Sequence, residues 1–168
     1  MNKRKLSNVN CDSAKTEILD GGFKVVDSKL LKYYGHEENV IIPSDVTDIA
    51  AQAFTKNTSI KEIIIPENVR MIGGLAFANC YNLSKIEIHN KNIIIGEGAF
   101  DRTAWYNQQE NSVLYLDNIL YSIKGSCPSE IFVKEGVTYI SEFAFSEFNT
   151  LKKIYLPKSL KRIGNAFW

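Results

Sequence analysis

Few residues in this chain are of types that commonly do chemistry, and their spacing limits what they could do. There are two histidines, His36 and His89, and three cysteines, Cys11, Cys80 and Cys127. "GHEEN" at 35–39 sets an imidazole beside two carboxylates and suggests a metal, but no other His or Cys lies at ligand spacing. A hairpin exit loop accounts for it better. The thiols also lack metal spacing, and an odd number cannot all pair within one chain. They are expected to stay reduced. "GEGAF" at 96–100 is glycine-rich, yet a repeat described below explains its glycines. No nucleophile elbow, phosphate loop or dinucleotide fingerprint is present. No set of residues fills the roles of acid, base and nucleophile, so the sequence predicts a protein that is not an enzyme and needs no cofactor or metal.

The bulk properties point the same way. The 168 residues suffice for one domain, and with 45% apolar and 23% charged residues the chain can bury a core. Twenty basic and 19 acidic residues give a net charge of +1, with no long-range field to draw in nucleic acid or anionic lipid. The start, "MNKRKLSNVNCDSAKTEILDGG", has a basic region without the apolar stretch of a secretory signal, and no run is apolar enough to span a bilayer. These features predict a cytoplasmic protein that binds neither nucleic acid nor membrane. The cell surface becomes the expectation if the native protein is longer or an export signal has been removed.

The elements that position these residues repeat. "IIPSDVTDIAAQAF" begins at Ile41 and "IIPENVRMIGGLAF" at Ile64; Pro43 to Pro66, Ile49 to Ile72 and Phe54 to Phe77 are each 23 residues apart. A further 23 carries Phe77 to Phe100, and "FVKEGVTYISEFAF" and "YLPKSLKRIGNAF" follow, ending at Phe145 and Phe167. Within each repeat "IKEIII", "LSKIEI" or "LKKIYL" alternates like a half-buried strand. The inward residues are Ile60, Ile63 and Ile65, then Leu83, Ile86 and Ile88, then Leu151, Ile154 and Leu156. Proline at 43, 66 and 157 ends the strand, because it cannot donate to a ladder. A short second extended piece follows, such as "VRMI". "GGLAF" is then expected to make a tight turn, with Ala packing closely and Phe filling the core. One repeat buries too little to offset its ordering entropy, so stability must come from stacking repeats.

Two stretches break the period and match each other at a constant offset of 90: "FKVVDSKLLKYYG" at 23–35 and "VLYLDNILYSIKG" at 113–125. In each, two strand-like arms flank a polar pair, Asp27-Ser28 or Asp117-Asn118, as in a β-hairpin. The domain reading is an N-terminal tail over 1–20, whose order or disorder the sequence leaves open, and a single solenoid over 21–168 with hairpins near 23–35 and 113–125. The linker "DRTAWYNQQENS" carries Trp105 and Tyr106, which are expected to cover the core where the array is interrupted.

The pattern L-x-x-I-x-I-P-x-x-V-x-x-I-G-x-x-A-F-x-x-C, closest at Ile60 to Cys80 and recurring at Leu151 to Phe167, resembles the BspA-type, or Treponema pallidum-type, leucine-rich repeats. The "AWYNQQ…VLYLDNILYSIKG" insertion is also similar to one seen in that family. The resemblance covers roughly residues 23 to 168. It implies an α/β leucine-rich repeat fold, a right-handed solenoid that is β-rich, with short turns or helical pieces and two inserted β-hairpins. It also implies proteins of bacterial or protozoan surfaces that bind host proteins, matrix or other microbes. Cys80 fills the family's terminal Cys position, and Asn57, Thr103 and Phe148 stand at the matching places, which marks a structural turn rather than a redox centre.

If the strands stack in register, their outward residues form a grid: Asn39 and Ile41, Glu62 and Ile64, Lys85 and Glu87, Glu130 and Phe132, Lys153 and Tyr155. A row of large apolar side chains on an exposed face commonly marks a contact site, although Ile, Phe and Tyr also suit strands wherever they point. The expected protein-binding residues are Ile41, Glu62, Ile64, Lys85, Glu87, Phe132, Lys153 and Tyr155, with Ile64 the one the core does not need. The functional reading is a protein-binding repeat module whose partner is an unidentified protein. The alternatives are a structural module that assembles with itself, or a fragment of a larger bacterial surface adhesin. Self-association is expected through the C-terminal end, where "IGNAFW" leaves Phe167 and Trp168 without a polar cap.

Overall fold

The computed structural model describes residues 17–19, 21–146 and 148–167. Cys11, Trp168 and most of the expected N-terminal tail lie outside them. The chain is a β-solenoid of about six turns. Its elements are β1 (Glu17–Leu19), β2 (Phe23–Val26), β3 (Lys29–Tyr33), β4 (Asn39–Ile41), β5 (Asp48–Ile49), β6 (Glu62–Ile65), β7 (Met71–Ile72), β8 (Lys85–Ile88), β9 (Ile94–Ile95), α1 (Ala104–Gln108), β10 (Val113–Leu116), β11 (Ile119–Ile123), β12 (Glu130–Phe132), β13 (Tyr139–Ile140), β14 (Lys153–Tyr155) and β15 (Arg162–Ile163). Among the described residues α1, five residues long, is the only helix. No helix there is long and apolar enough to cross a membrane.

The 23-residue period becomes parallel pairing. β4, β6 and β8 form one sheet, with Asn39, Glu62 and Lys85 in one column and Ile41, Ile64 and Glu87 in the next. β12 and β14 form another, pairing Glu130 with Lys153 and Phe132 with Tyr155. The short second strands make the other wall of the coil, in the orders β1-β2-β3-β5-β7-β9 and β10-β11-β13-β15. In both, an antiparallel pair leads the parallel ones: β2 with β3 and β10 with β11. β1 adds antiparallel to β2, so residues 17–19 of the tail join this sheet.

Between the walls lies the core. Ile60, Ile63, Ile65 and Leu83 are buried, as the alternation predicts. The "AF" turns pair from coil to coil as the strands do: Phe54 N donates to Ala76 O at 2.8 Å and Phe77 N to Ala99 O at 2.7 Å. Their rings follow the same translation. Phe23, Tyr33, Phe54, Phe77 and Phe100 make a ladder with centroids 4.8, 4.9, 4.6 and 5.2 Å apart. The residue two before Phe54, Phe77, Phe100 and Phe145 is left-handed, with φ of 60° at Gln52, 56° at Leu75, 58° at Gly98 and 57° at Phe143. This is the position that closes the turn.

Within the "GGLAF" turn expected from the sequence, that assignment puts the left-handed residue at Leu75 and not at Gly73 or Gly74. Neither has a positive φ. A Cβ on Gly73 would fall inside contact distance of the Ala51 backbone nitrogen, and one on Gly96 would lie 2.6 Å from Gly74 N. Glycine is there because successive coils approach too closely for a side chain.

The array is interrupted after Phe100, which has no following "AF" turn to bond. The Tyr121 hydroxyl takes its place and accepts from Phe100 N at 2.9 Å. Thr103 caps α1, Trp105 N donates to Leu83 O at 2.8 Å, and the Trp105 ring sits edge-on to Phe100 and Tyr121. Lys124 closes the other end of α1, its ammonium bonding the carbonyls of Tyr106, Asn107 and Gln109. Trp105 and Tyr106 thus pack on the core at the interruption. The buried residues fall into two clusters, and β10–β11 touches both: Leu114, Leu116, Ile119 and Tyr121 belong to the first, Leu120 and Ile123 to the second.

Five expected inward positions, Ile86, Ile88, Leu151, Ile154 and Leu156, are less buried than predicted. Ile86 and Ile88 are half-buried because no strand follows β8 in its sheet. Ile154 is half-buried and Leu156 exposed, since β14 is likewise the last strand of its sheet.

Candidate functional site

Alternation within each strand brings the sequence-predicted residues to one face. Asn39, Ile41, Lys85, Glu87, Glu130, Phe132, Lys153 and Tyr155 are exposed there, and Glu62 and Ile64 are half-buried. The residues form two patches, not one grid. β8 and β12 are not paired, so Ile41, Glu62, Ile64, Lys85 and Glu87 lie on the three-stranded sheet and Glu130, Phe132, Lys153 and Tyr155 on the two-stranded one. The step from Lys85 to Glu130 is 45 residues, one short of two periods, because α1 and β10 occupy the chain where a strand would fall. That number was legible in the sequence and marks the missing rung.

Ile64, singled out as the residue free of the core, is half-covered by its neighbours in the sheet. The open apolar positions are Ile41, 64% exposed, and Phe132, 70% exposed. Phe132 and Tyr155 stack with centroids 4.3 Å apart and planes 3° from parallel. One face of Phe132 is therefore covered by Tyr155 and the other open.

The charged residues of this face pair mainly with each other. Lys61 bonds Glu38 at 2.7 Å, Lys85 bonds Glu62 at 3.0 Å, and Lys153 lies 3.4 Å from Glu130. The Tyr155 hydroxyl donates to the same Glu130 carboxylate at 3.3 Å. His89, at a strand-ending position held elsewhere by proline, hydrogen-bonds Glu87 at 2.7 Å and lowers the pKa of that carboxyl. Such exposed pairs contribute little stability each; they set a ladder of alternating sign across the strands.

Away from this face the chemistry-bearing residues are structural. The buried Cys80 thiol donates to Phe54 O at 3.1 Å, and burial pushes its pKa to about 11, which makes it a poor nucleophile. His36 is exposed in the loop after β3. Among the described residues no group of three His, Cys, Asp or Glu side chains is placed to hold a metal ion. Asp101 and Tyr121 share a 3.3 Å hydrogen bond at the interruption, and burial raises the pKa of both. A cavity of about 160 Å³ beside Phe145, Phe148 and Leu151 is smaller than a typical small-molecule site.

Several known proteins are similar to this chain. Solved structures with a similar fold include the T. pallidum leucine-rich repeat protein, at 24% identity over 83% of this chain and 74% of that one, with a TM-score of 0.49. A leucine-rich repeat protein from Bacteroides capillosus is 20% identical over 95% of this chain and 97% of its own, with a TM-score of 0.40. One from Bacteroides ovatus is 22% identical over 92% of this chain and 42% of its own, with a TM-score of 0.43. No curated protein matches. The family described as BspA type Leucine rich repeat region (6 copies) matches residues 2–106, 26–127 and 117–168. The chain therefore belongs to the BspA-type leucine-rich repeat family.

Proposed function

We propose that the chain is a non-enzymatic protein-binding module that uses the proline-ended strand face, with the right-handed curvature the family resemblance implies. The observation that carries this reading is the stacked Phe132–Tyr155 pair, set on rigid strands and left open to solvent. Exposed aromatic side chains on a fixed scaffold are the residues that most often dominate protein interfaces.

The test is capture of partners from lysate by immobilised protein, comparing the parent with Ile41→Ser and with Phe132→Ser/Tyr155→Ser. With thermal unfolding unchanged, a partner of this face is expected to be lost from the double variant. Equal capture by all three proteins would reject the reading.

A second reading is self-association through the last coil, supported by exposed Leu156, Ile163 and Phe167, whose counterparts Ile65, Ile72 and Phe77 are buried in the earlier coils. It predicts a mass that rises with concentration in light scattering and falls to monomer with Ile163→Asp. A concentration-independent monomer would remove it.

A further inference from the structure

The interruption of the array leaves a strand edge beside the exposed aromatic pair. On β12 the backbone is divided between its two sides. Lys153 N donates to Ser129 O at 3.1 Å and Val133 N donates to Tyr155 O at 3.0 Å, so the residues alternate with Glu130 and Phe132 in facing β14. In a parallel ladder the N–H and C=O of Glu130 and Phe132 then point to the opposite side. That side has no strand in this sheet, and among the described residues no hydrogen bond reaches those four groups. An unpaired edge of this kind is a template for another strand.

The side chains on this edge specify what would fit. On its β14 side Glu130 faces Lys153, and Phe132 stacks on Tyr155. A strand on the open side would meet the same two residues in the same register. A cation would lie opposite Glu130, and two residues later an aromatic ring would lie against the open face of Phe132. β14 itself carries this pattern as Lys153-Ile154-Tyr155. Every strand pairing observed on this face is parallel.

We infer that β12 binds an extended segment of a partner protein, added parallel to its free edge, with Lys or Arg opposite Glu130 and an aromatic residue two positions later against Phe132. This rests on the proposed protein-binding role of the face and names the chemistry of what binds. Backbone hydrogen bonds would supply affinity, and the basic and aromatic side chains specificity.

The test uses the full chain and a labelled synthetic peptide, Thr-Lys-Val-Tyr-Thr with blocked ends. Fluorescence anisotropy gives its affinity, and amide hydrogen exchange read by NMR locates it. Saturable binding is expected, with slowed exchange at Glu130 and Phe132 and little change at Ile131. Phe132→Ser should weaken binding at least about tenfold, in line with loss of an aromatic anchor, and Tyr34→Ser, at an exposed aromatic outside this face, should leave it unchanged. A peptide N-methylated at alternate amides, and one of reversed sequence, should each bind at least about tenfold more weakly, as loss of ladder bonds and of register requires. The inference is overturned if the peptide does not bind, or if the reversed or N-methylated peptide binds equally well. It is also overturned if the Glu130 and Phe132 amides are protected in the free protein by a dimer that Phe132→Ser dissolves, which would put a second copy at the edge. If the peptide fails while the double variant still loses a captured partner, the face binds protein in another way and only this inference falls.

Discussion

Two antiparallel pairs 90 residues apart have nearly the same backbone and opposite surroundings. β2–β3 and β10–β11 each carry an irregularity in register at the same point, after Lys24 and after Leu114, and each hands its second strand to a parallel neighbour. In the first pair Lys24, Lys29 and Lys32 alternate with buried Phe23, Val25, Leu30 and Tyr33. In the second the three lysine positions are Leu114, Ile119 and Ser122, and β11 is buried on both faces. The difference follows from position. β10–β11 is wedged between two core clusters and must be apolar on both sides, whereas the described part of β2–β3 packs on only one. The same local fold therefore serves as an outer leaf in one place and as a joint in the other.

The largest expected effect breaks that contrast directly. Ile119→Lys puts a charge into the first cluster, on the strand that also reaches the second, and should destabilise by about 3–5 kcal/mol. Lys29→Ile, at the matching exposed position, should change stability by no more than about 0.5 kcal/mol. Urea unfolding of the two variants checks both; equal effects would mean that β10–β11 is not held as a joint.

A middle-sized effect sharpens the comparison at one atom. Tyr121→Phe removes the hydroxyl that satisfies buried Phe100 N–H and should cost about 1–3 kcal/mol. Its counterpart Leu31 has no such task, so Leu31→Phe should fall within about 0.5 kcal/mol of the parent.

The smallest effect concerns the thiols of the two arrays. The folded pKa of Cys80 is about 11, raised by burial from 9.0. Below pH 9 the thiol is protonated whether the chain is folded or unfolded. As pH rises from about 9 towards 11 the unfolded thiol ionises first, so Cys80 contributes a fall in stability of about 1.4 kcal/mol per pH unit at most, added to the fall from tyrosines such as Tyr121 whose pKa burial also raises. Cys80→Ala should flatten this slope, whereas Cys127→Ala, at a half-exposed thiol of the second array, should leave most of it. Denaturant midpoints at pH 8.5, 9.5 and 10.5 distinguish these outcomes.

Much of this architecture was written in the spacing. The 23-residue steps from Pro43 to Pro66 and from Phe54 to Phe77 gave both the parallel register and the stacked turns, because identical coils can only pair by translation. The outward columns were legible for the same reason. What alternation could not give was how far each outward residue is covered, since that depends on neighbouring strands: Ile64 is half-buried between two of them and Phe132 is open beside one. Gly73 shows a second limit. A glycine needed for close approach and a glycine needed for a left-handed turn look alike in sequence, and only the contact with Ala51 tells them apart. The break in the face was easy to overlook because residues 101–112 read as a covering linker, which they are; that the same residues also remove a rung shows in the separate sheets of β8 and β12 and, in the sequence, only in the 45-residue step from Lys85 to Glu130.

Trp105 has a spectroscopic consequence. The chain has two tryptophans, and this one stands edge-on to Phe100 and Tyr121 where the first ring ladder meets the second array. Replacing Trp168 with Phe would leave Trp105 as the sole indole, excited directly or by energy transfer from Tyr121 a ring's width away. Its emission would then report solvent entry at the seam itself, and set beside far-ultraviolet circular dichroism it would separate opening of the joint from loss of the sheets.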